Sequence, residues 1–148
     1  MNKAGIYLNE CPENAKNFVR VIITDSDEPI KVHGDAQVYV LGEAKVIAFG
    51  HAQVYNDKIA GAHVMLYGYS FGKIMAGTAS AYDRSTLQCD CKASLNGSVT
   101  CDAFGGTVRA AAFRHINAYR DTVVYSNGDK GIVLSGTAQL KSLDEYEQ

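Results

Sequence analysis

The sequence predicts an all-β protein: a single-stranded β-solenoid (parallel β-helix) of degenerate octad repeats with a short N-terminal cap. From Gly34 the chain reads GDAQVYVL, GEAKVIAF and GHAQVYND, so the frame Gly-x-Ala-x-Val restarts at Gly42 and Gly50. Small or apolar residues fall at positions three, five and often seven of each octad. This period of two is typical of a β-strand, whereas a helix has a period of 3.6.

Stacking of the octads follows from their size. One octad supplies about one short strand and a glycine-led corner, and it cannot bury its apolar face alone. Two octads per coil give a coil of about 16 residues and a stack of about six or seven coils, spaced by about 4.8 Å. Ala36, Val38 and Val40 then face a narrow interior, and the glycines occupy corners where positive φ or close backbone approach is needed.

The N-terminal segment differs from the repeats. Residues 1–25 are predicted to form a cap, with a short helix after Pro12 and a β-rich run from Phe18 to Thr24. A cap is expected because an open solenoid end exposes unpaired strand edges. The first octad of the solenoid, SDEPIKVH, begins at Ser26.

The repeat frame is interrupted after Asp57 and recovers at Gly77, where four consecutive octads begin: GTASAYDR, STLQCDCK, ASLNGSVT and CDAFGGTV. A final partial copy, GTAQL, begins at Gly136. The solenoid is therefore predicted to span residues 26–143, followed by an acidic tail at 144–148.

Residues 109–135 fit the octad poorly but keep the alternation at Asp121–Tyr125 and Ile132–Leu134, where strands are expected. The pair Asn127 and Gly128 is a strong turn signal and predicts a hairpin or an enlarged loop in this region. The segment GGTVRAAAFRH from Gly105 allows a glycine-led helix, although it lacks the Lys-Ser/Thr pair of a phosphate-binding loop.

Composition excludes several classes of protein. A formal net charge of -2 with interspersed charges argues against direct nucleic-acid binding. The chain has neither a signal-like N-terminus nor an apolar run of about 18 residues, so we expect a cytoplasmic protein that does not span a membrane. Reduced thiols are then expected at Cys11, Cys89, Cys91 and Cys101.

The octads resemble the Gly/Asp-Asn-Ala-x-Val-x-Ala-x repeat proteins found in phages, prophages and other bacterial mobile elements. The residues that carry the resemblance are Gly34, Ala36, Val38, Gly42, Ala44, Val46, Ala48, Gly50, Ala52 and Val54. The resemblance implies a β-solenoid in a phage or bacterial setting, and thus the cytoplasm of a bacterial host, but no particular activity.

No motif predicts catalysis. Cys89 and Cys91 lie in step along an alternating strand and are interpreted as small buried core residues. His51 and His63 could approach each other on neighbouring coils, yet surface histidines are the favoured interpretation. GYSFG at Gly68–Gly72 has the letters of a nucleophile elbow without a following helical period. We therefore expect no enzyme, no catalytic or metal-binding residue and no cofactor.

Tyrosines provide the best clue to function, because the chain has nine of them and no tryptophan. Aromatic rows on a surface bury a large area at low entropic cost, which favours binding interfaces, although stacking between coils explains them equally well. A small basic patch of Arg109, Arg114 and Arg120 could accompany them. The predicted partner-binding residues are Tyr39, Tyr55, Tyr67, Tyr69, Arg109 and Arg114.

The resulting functional hypothesis is a non-catalytic protein-interaction module, with a phage- or mobile-element-encoded inhibitor of a host defence enzyme as one form of it. Two alternatives remain open. One is a structural homo-oligomer. The other is a carbohydrate-binding or carbohydrate-processing β-helix, in which Asp83, Asp90 and Asp102 would supply carboxylates from successive coils.

Overall fold

A period of two in burial runs along the chain and produces short strands separated by corners. The computed structural model describes residues 6–10, 19–57, 59–128 and 130–146. Its strands are β1 (Ile6–Glu10), β2 (Val19–Ile23), β3 (Ile30–Val32), β4 (Gln37–Val40), β5 (Lys45–Ala48), β6 (Gln53–Asn56), β7 (His63–Leu66), β8 (Phe71–Ile74), β9 (Thr78–Asp83), β10 (Thr86–Gly97), β11 (Thr100–Ala112), β12 (His115–Ala118), β13 (Val123–Tyr125), β14 (Ile132–Leu134) and β15 (Gln139–Lys141). One short helix, α1 (Leu143–Tyr146), follows.

The strands form two faces joined by corners. The front face contains β2, β4, β6, β8, the first part of β10 and of β11, β12 and β14, all paired in parallel. The back face contains β3, β5, β7, β9, the second part of β10 and of β11, β13 and β15, also in parallel. The predicted fold is therefore confirmed: the chain is a parallel β-solenoid of about seven turns.

Coil length varies along the stack. Val46 on β5 pairs with Val64 on β7, eighteen residues later, whereas Thr86 on β10 pairs with Thr100 on β11, fourteen residues later. The difference lies mainly in the corners, and the pairing of β10 with β11 also shifts register between Cys89 and Cys91 and between Leu95 and Asn96. The interruption after Asp57 is thus a longer corner between β6 and β7, and it does not break the solenoid.

The interior is built from small and branched apolar side chains. Ala36, Val38 and Val40 are buried, as the octad frame predicts. Side-chain sizes on the two faces also compensate for one another. A Cβ built on Gly72 of the front face would lie 2.8 Å from Cδ1 of Leu66 on the back face. The interior of each coil is close-packed, so a large side chain on one face requires a small one on the other.

One corner carries a column of residues with positive φ. Gly34, Gly50 and Gly68 have φ of 68°, 66° and 66°, and a Cβ on Gly50 or Gly68 would lie 3.2 Å from the backbone nitrogen of the preceding glycine in the column. Asp83 continues the column with φ of 57°, and its carboxylate accepts a hydrogen bond of 2.9 Å from the Gly68 N–H. Glycine is favoured here because a side chain would be strained and crowded at once.

At the N-terminal end, β1 pairs antiparallel with β2 and covers its outer edge. β2 in turn pairs in parallel with β4, so it extends the front face. The helix predicted after Pro12 lies outside the described residues.

Within residues 105–135 the hairpin and the glycine-led helix do not form. The expected strands do form, and the alternative of an enlarged loop agrees with the corner between β13 and β14, which is as long as the one between β6 and β7. β13 pairs in parallel with β11 and β15, and β12 pairs in parallel with β11 and β14, so the coils continue through this region. Asn127 and Gly128 lie in the corner between β13 and β14, and the GGTVRAAAFRH segment lies largely in β11. Regular parallel pairing continues because the alternation of side chains persists where the octad letters do not.

The C-terminal coil leaves part of the core uncovered. Ile132, Ala138 and Leu140 are only partly buried, and Leu134 is 41% exposed. α1 packs against β11 and β13, where its Tyr146 ring lies edge-on to Tyr125 at 5.1 Å, so it does not cover this end. No helix within the described ranges has the length and apolar character needed to cross a membrane.

Candidate functional site

Two of the predicted tyrosines form a pair on the front face. Tyr39 on β4 and Tyr55 on β6 are register partners, and their rings stack with centroids 5.3 Å apart at 20°. The Tyr55 hydroxyl donates a hydrogen bond of 2.8 Å to Gln53. Burial raises the pKa of the Tyr55 phenol, and the neighbouring Tyr39 raises it further. The Tyr55 phenol therefore stays neutral at physiological pH, and the stacked pair presents an aromatic surface.

The tyrosine pair borders an open groove of about 460 Å³, which we call the tyrosine groove. Its apolar wall includes Leu41, which is 61% exposed, and Ile59 from the longer corner between β6 and β7. Asp57 and Lys73 add one charge of each sign. This arrangement can accept an apolar side chain while pairing charges around it. The groove residues are Tyr39, Val40, Leu41, Tyr55, Asp57, Ile59 and Lys73.

Tyr67 belongs to a different surface. It lies in a column of four stacked rings, His33, Phe49, Tyr67 and Tyr82, with successive centroids 5.0, 5.4 and 4.7 Å apart. Burial raises the pKa of Tyr67, with further contributions from Tyr82 and Asp83. Stacking between coils, the alternative explanation of the tyrosines, therefore holds for Tyr67, as it does for the Tyr39–Tyr55 pair.

Tyr69 is 56% exposed and lies at the corner that leads into the front face. Its ring stacks on His51 with centroids 5.4 Å apart, and its hydroxyl accepts a hydrogen bond of 3.4 Å from Nη1 of Arg84. The four predicted tyrosines thus occupy three separate columns, and only Tyr39 and Tyr55 share one surface.

The basic patch predicted from Arg109, Arg114 and Arg120 does not form. Arg109 lies on the back face with its guanidinium carbon 5.9 Å from the centroid of the Tyr146 ring. Arg114 lies in the corner between β11 and β12, and Arg120 in the corner between β12 and β13. Sequence proximity is misleading here because a coil carries residues a few positions apart to opposite sides of the molecule.

Arg114 instead shares a groove of about 590 Å³ with Arg84, which we call the arginine groove. The other lining residues are Tyr69, Thr86, Ser98 and Thr100. Arg84 and Ser98 were not predicted as site residues, and no motif in the sequence marks them. The exact length of each coil would have been needed to place Arg84 beside Arg114.

The thiols and carboxylates were the other candidate chemical groups. Cys89, Cys91 and Cys101 are buried, with the sulfurs of Cys89 and Cys101 3.8 Å apart. The hydrogen bond with Cys101 and burial raise the pKa of Cys89, and the hydrogen bond with Cys89 and burial raise the pKa of Cys91. Thiols held in the protonated form are poor nucleophiles and poor metal ligands. Cys11 lies outside the described residues.

The carboxylates proposed for carbohydrate chemistry do not share one groove. Asp102 lies on the front face and accepts a hydrogen bond of 3.0 Å from Asn117. Asp83 bonds the Gly68 backbone at one corner, and Asp90 lies at the other corner beside Gly105. The three carboxylates thus lie at three different places around the coil: the front face and two different corners.

The histidines and the GYSFG segment show no catalytic arrangement. His51 stacks on Tyr69 at a corner, whereas His63 lies on the back face in register with Lys45 and Thr78. Ser70 of GYSFG is fully buried and leads into strand β8. Among the residues that the structure describes, no three His, Cys, Asp or Glu side chains are grouped to hold a metal ion.

The fold defines the class of this molecule as a two-faced parallel β-solenoid, with the tyrosine groove and the arginine groove on and beside its front face. Comparison with known protein families, with curated proteins and with solved structures finds no match to this chain.

Proposed function

We propose that the protein is a non-catalytic interaction module that binds a protein partner through the tyrosine groove. The observation that carries the proposal is Leu41, whose side chain is 61% exposed beside the stacked Tyr39 and Tyr55 rings. Leu41, Tyr39, Tyr55 and Ile59 line one groove, and a contiguous apolar surface of this kind marks a site of interaction with another protein. Central tyrosines are also enriched among the residues that contribute most to binding energy.

The chemistry of the groove specifies the kind of contact. An apolar side chain of the partner fills the space between Leu41 and Ile59, while a basic and an acidic group of the partner meet Asp57 and Lys73 at the rim. The stacked rings and the parallel strands beneath them are already ordered. Binding therefore requires little loss of side-chain freedom, which favours affinity.

The biological setting that we propose is a phage or other mobile element, with the chain acting in the bacterial cytoplasm as an inhibitor of a host defence enzyme. The resemblance of the Gly34–Val54 octads to mobile-element repeat proteins supports this setting. A rigid solenoid is suited to inhibition by occlusion of a partner's surface.

The proposal is tested by comparing matched variants. Leu41→Glu places a charge in the groove, and Val133→Glu makes the same kind of change at a 49% exposed site on the distant end of the front face. Wild type and Val133→Glu should retain the same stoichiometric partner from a bacterial lysate. With the purified partner, Leu41→Glu and Tyr39→Ala should each bind at least about tenfold more weakly, a loss of about 1.4 kcal/mol. Equal affinity of Leu41→Glu and wild type would refute the assignment of the groove.

A structural homo-oligomer is the second candidate function, and one observation favours it. The last coil exposes Leu134 and leaves Ile132 and Leu140 only partly buried. β14 and β15 each have a pairing strand on one side only among the described residues. Such edges are templates for pairing with another chain.

A further inference from the structure

The arginine groove is built by three successive corners of the solenoid. The corner between β9 and β10 supplies Arg84, the corner between β10 and β11 supplies Ser98, and the corner between β11 and β12 supplies Arg114. Because neighbouring coils are about 4.8 Å apart, two coils separate the arginine backbones by about 10 Å. Two arginine side chains can converge over that distance on one group placed between them.

The wall between the arginines is polar. Thr86 and Thr100 are register partners on β10 and β11, and both line the groove together with Ser98. Their hydroxyls can donate hydrogen bonds to an acceptor held between the guanidinium groups. The exposed ring of Tyr69 forms a further wall, positioned by its stacking on His51.

The two guanidinium groups lack a neutralising carboxylate within the described part of the chain. Arg84 donates a side-chain hydrogen bond to the Tyr69 hydroxyl, which is uncharged. Two acidic residues beside the groove in sequence have other partners: Asp83, next to Arg84, accepts a hydrogen bond from the Gly68 N–H, and Asp102, close to Thr100, accepts one from Asn117. Two like charges that share a groove favour the binding of an anion between them.

We propose that the arginine groove binds the phosphate of a small phosphorylated molecule. Arginine presents planar, paired donors that match the oxygens of a phosphate, and serine and threonine hydroxyls complete the donor set. The groove of about 590 Å³ leaves room for an organic part beside the phosphate, and Tyr69 offers that part an aromatic face. A long nucleic acid is disfavoured because the chain carries a net charge of -2 and the arginines form one short cluster.

This site is independent of the proposed partner surface, because the arginine groove and the tyrosine groove have no lining residue in common. Loss of protein binding in Leu41→Glu would leave the phosphate site intact. Conversely, a failure of phosphate binding would leave the tyrosine groove unaffected.

The test is a titration of the 148-residue chain at low ionic strength, monitored by amide chemical shifts and by calorimetry. The probes are inorganic phosphate, ribose 5-phosphate, adenosine monophosphate and adenosine. The three phosphate-bearing probes should shift amides of residues 84–86, 98–100 and 114 saturably, with adenosine monophosphate binding most tightly. Adenosine should bind no more than weakly, because it lacks the oxyanion.

Substitutions identify the groups responsible. Arg84→Gln and Arg114→Gln should each weaken binding of adenosine monophosphate by about tenfold, which is about 1.4 kcal/mol. Arg109→Gln removes the same charge from the back face and should leave the affinity within about twofold of wild type. Binding of adenosine equal to that of its phosphate, an equal loss in Arg109→Gln, or no saturable shift with any phosphate would overturn the proposal.

Discussion

At the scale of single residues, the fold depends on matching volumes across a narrow interior. Gly72 has Val54 and Leu87 as its register neighbours on the front face, so it is the small member of its column. Leu66 is the large member of a back-face column between Ala48 and Ala81. The absent side chain of Gly72 thus makes the space that Leu66 fills.

Gly72→Ala should therefore lower the free energy of unfolding by about 1–3 kcal/mol, because the new Cβ would collide with Cδ1 of Leu66. The sign of this change distinguishes a collision from backbone propensity. Strand propensity alone would make alanine more stable than glycine by about 0.5–1 kcal/mol. Urea denaturation measures the change.

The double variant Gly72→Ala, Leu66→Val supplies the control, because valine lacks the δ-carbons that collide. It should recover part of the loss, with a favourable coupling of at least about 0.5 kcal/mol in a double-mutant cycle. Strictly additive effects would show that the two side chains do not share this space.

At the scale of the strand and its corner, repetition places like side chains on top of one another. His33, Phe49, Tyr67 and Tyr82 each immediately precede a corner residue with positive φ. Each coil therefore places its ring at the same position of the corner and in a similar orientation, so the four rings stack on one another along the solenoid. The positive-φ corner and the aromatic ring before it therefore form one structural unit that repeats from coil to coil.

Removing a ring from the middle of this column should cost more than removing one from an isolated pair. Tyr67→Leu loses two stacked neighbours and should lower the free energy of unfolding by about 1–3 kcal/mol, since each aromatic pair contributes about 0.5–1.5 kcal/mol. Tyr119→Leu loses one neighbour, Phe104, and should cost about half as much. Thermal and urea unfolding measure both, and a loss in Tyr119→Leu that equals or exceeds that in Tyr67→Leu would contradict the stacking argument.

The strands were largely predictable from the sequence, because alternation is dictated by a chain that lies between solvent and core. The octads from Gly34 predict β4 and β5 and the corners between them. Beyond Val108 the sequence no longer matches the octad pattern, yet Ile116 still pairs with Ile132, sixteen residues later. Arg120 adopts φ of 56° at a corner where the repeats would place a glycine, so residue identity no longer marks the turn.

The candidate sites were only partly predictable. Tyr39 and Tyr55 occupy the same position of the octads that begin at Gly34 and Gly50, so their pairing follows from the repeat. Arg84 and Arg114 lie thirty residues apart, and coils of fourteen to eighteen residues allow several alignments. Which side chains meet depends on the lengths of the corners. No local sequence motif predicts these lengths.

At the scale of the whole molecule, the two ends are unequal. At the N-terminal end β1 covers the front-face edge, and Ile30 and Val32 of β3 are buried although β3 pairs on one side only. Within the described chain, the coil of β14 and β15 has both edges unpaired and its core residues partly exposed. Nearest-neighbour stacking stabilises a solenoid, so the last coil gains from any further layer.

The purified protein should therefore self-associate in a concentration-dependent manner through this end. Multi-angle light scattering should show the average mass rise with concentration for wild type and for Leu41→Glu, and Leu134→Glu should remain at the 16.0 kDa monomer. A monomeric wild type at all concentrations would exclude the homo-oligomer. Loss of association in Leu41→Glu instead would identify the tyrosine groove as the contact between copies.

The longer corner between β6 and β7 has a consequence for engineering. Residues 57–62 connect these strands, whereas residues 41–44 suffice between β4 and β5, and the strands on both sides remain in register. Added length at a corner costs little loop entropy and leaves the interior untouched. A foreign peptide grafted at this corner would be displayed on a fixed framework beside the tyrosine groove, which makes the molecule a scaffold whose recognition surface can be enlarged without redesign of its core.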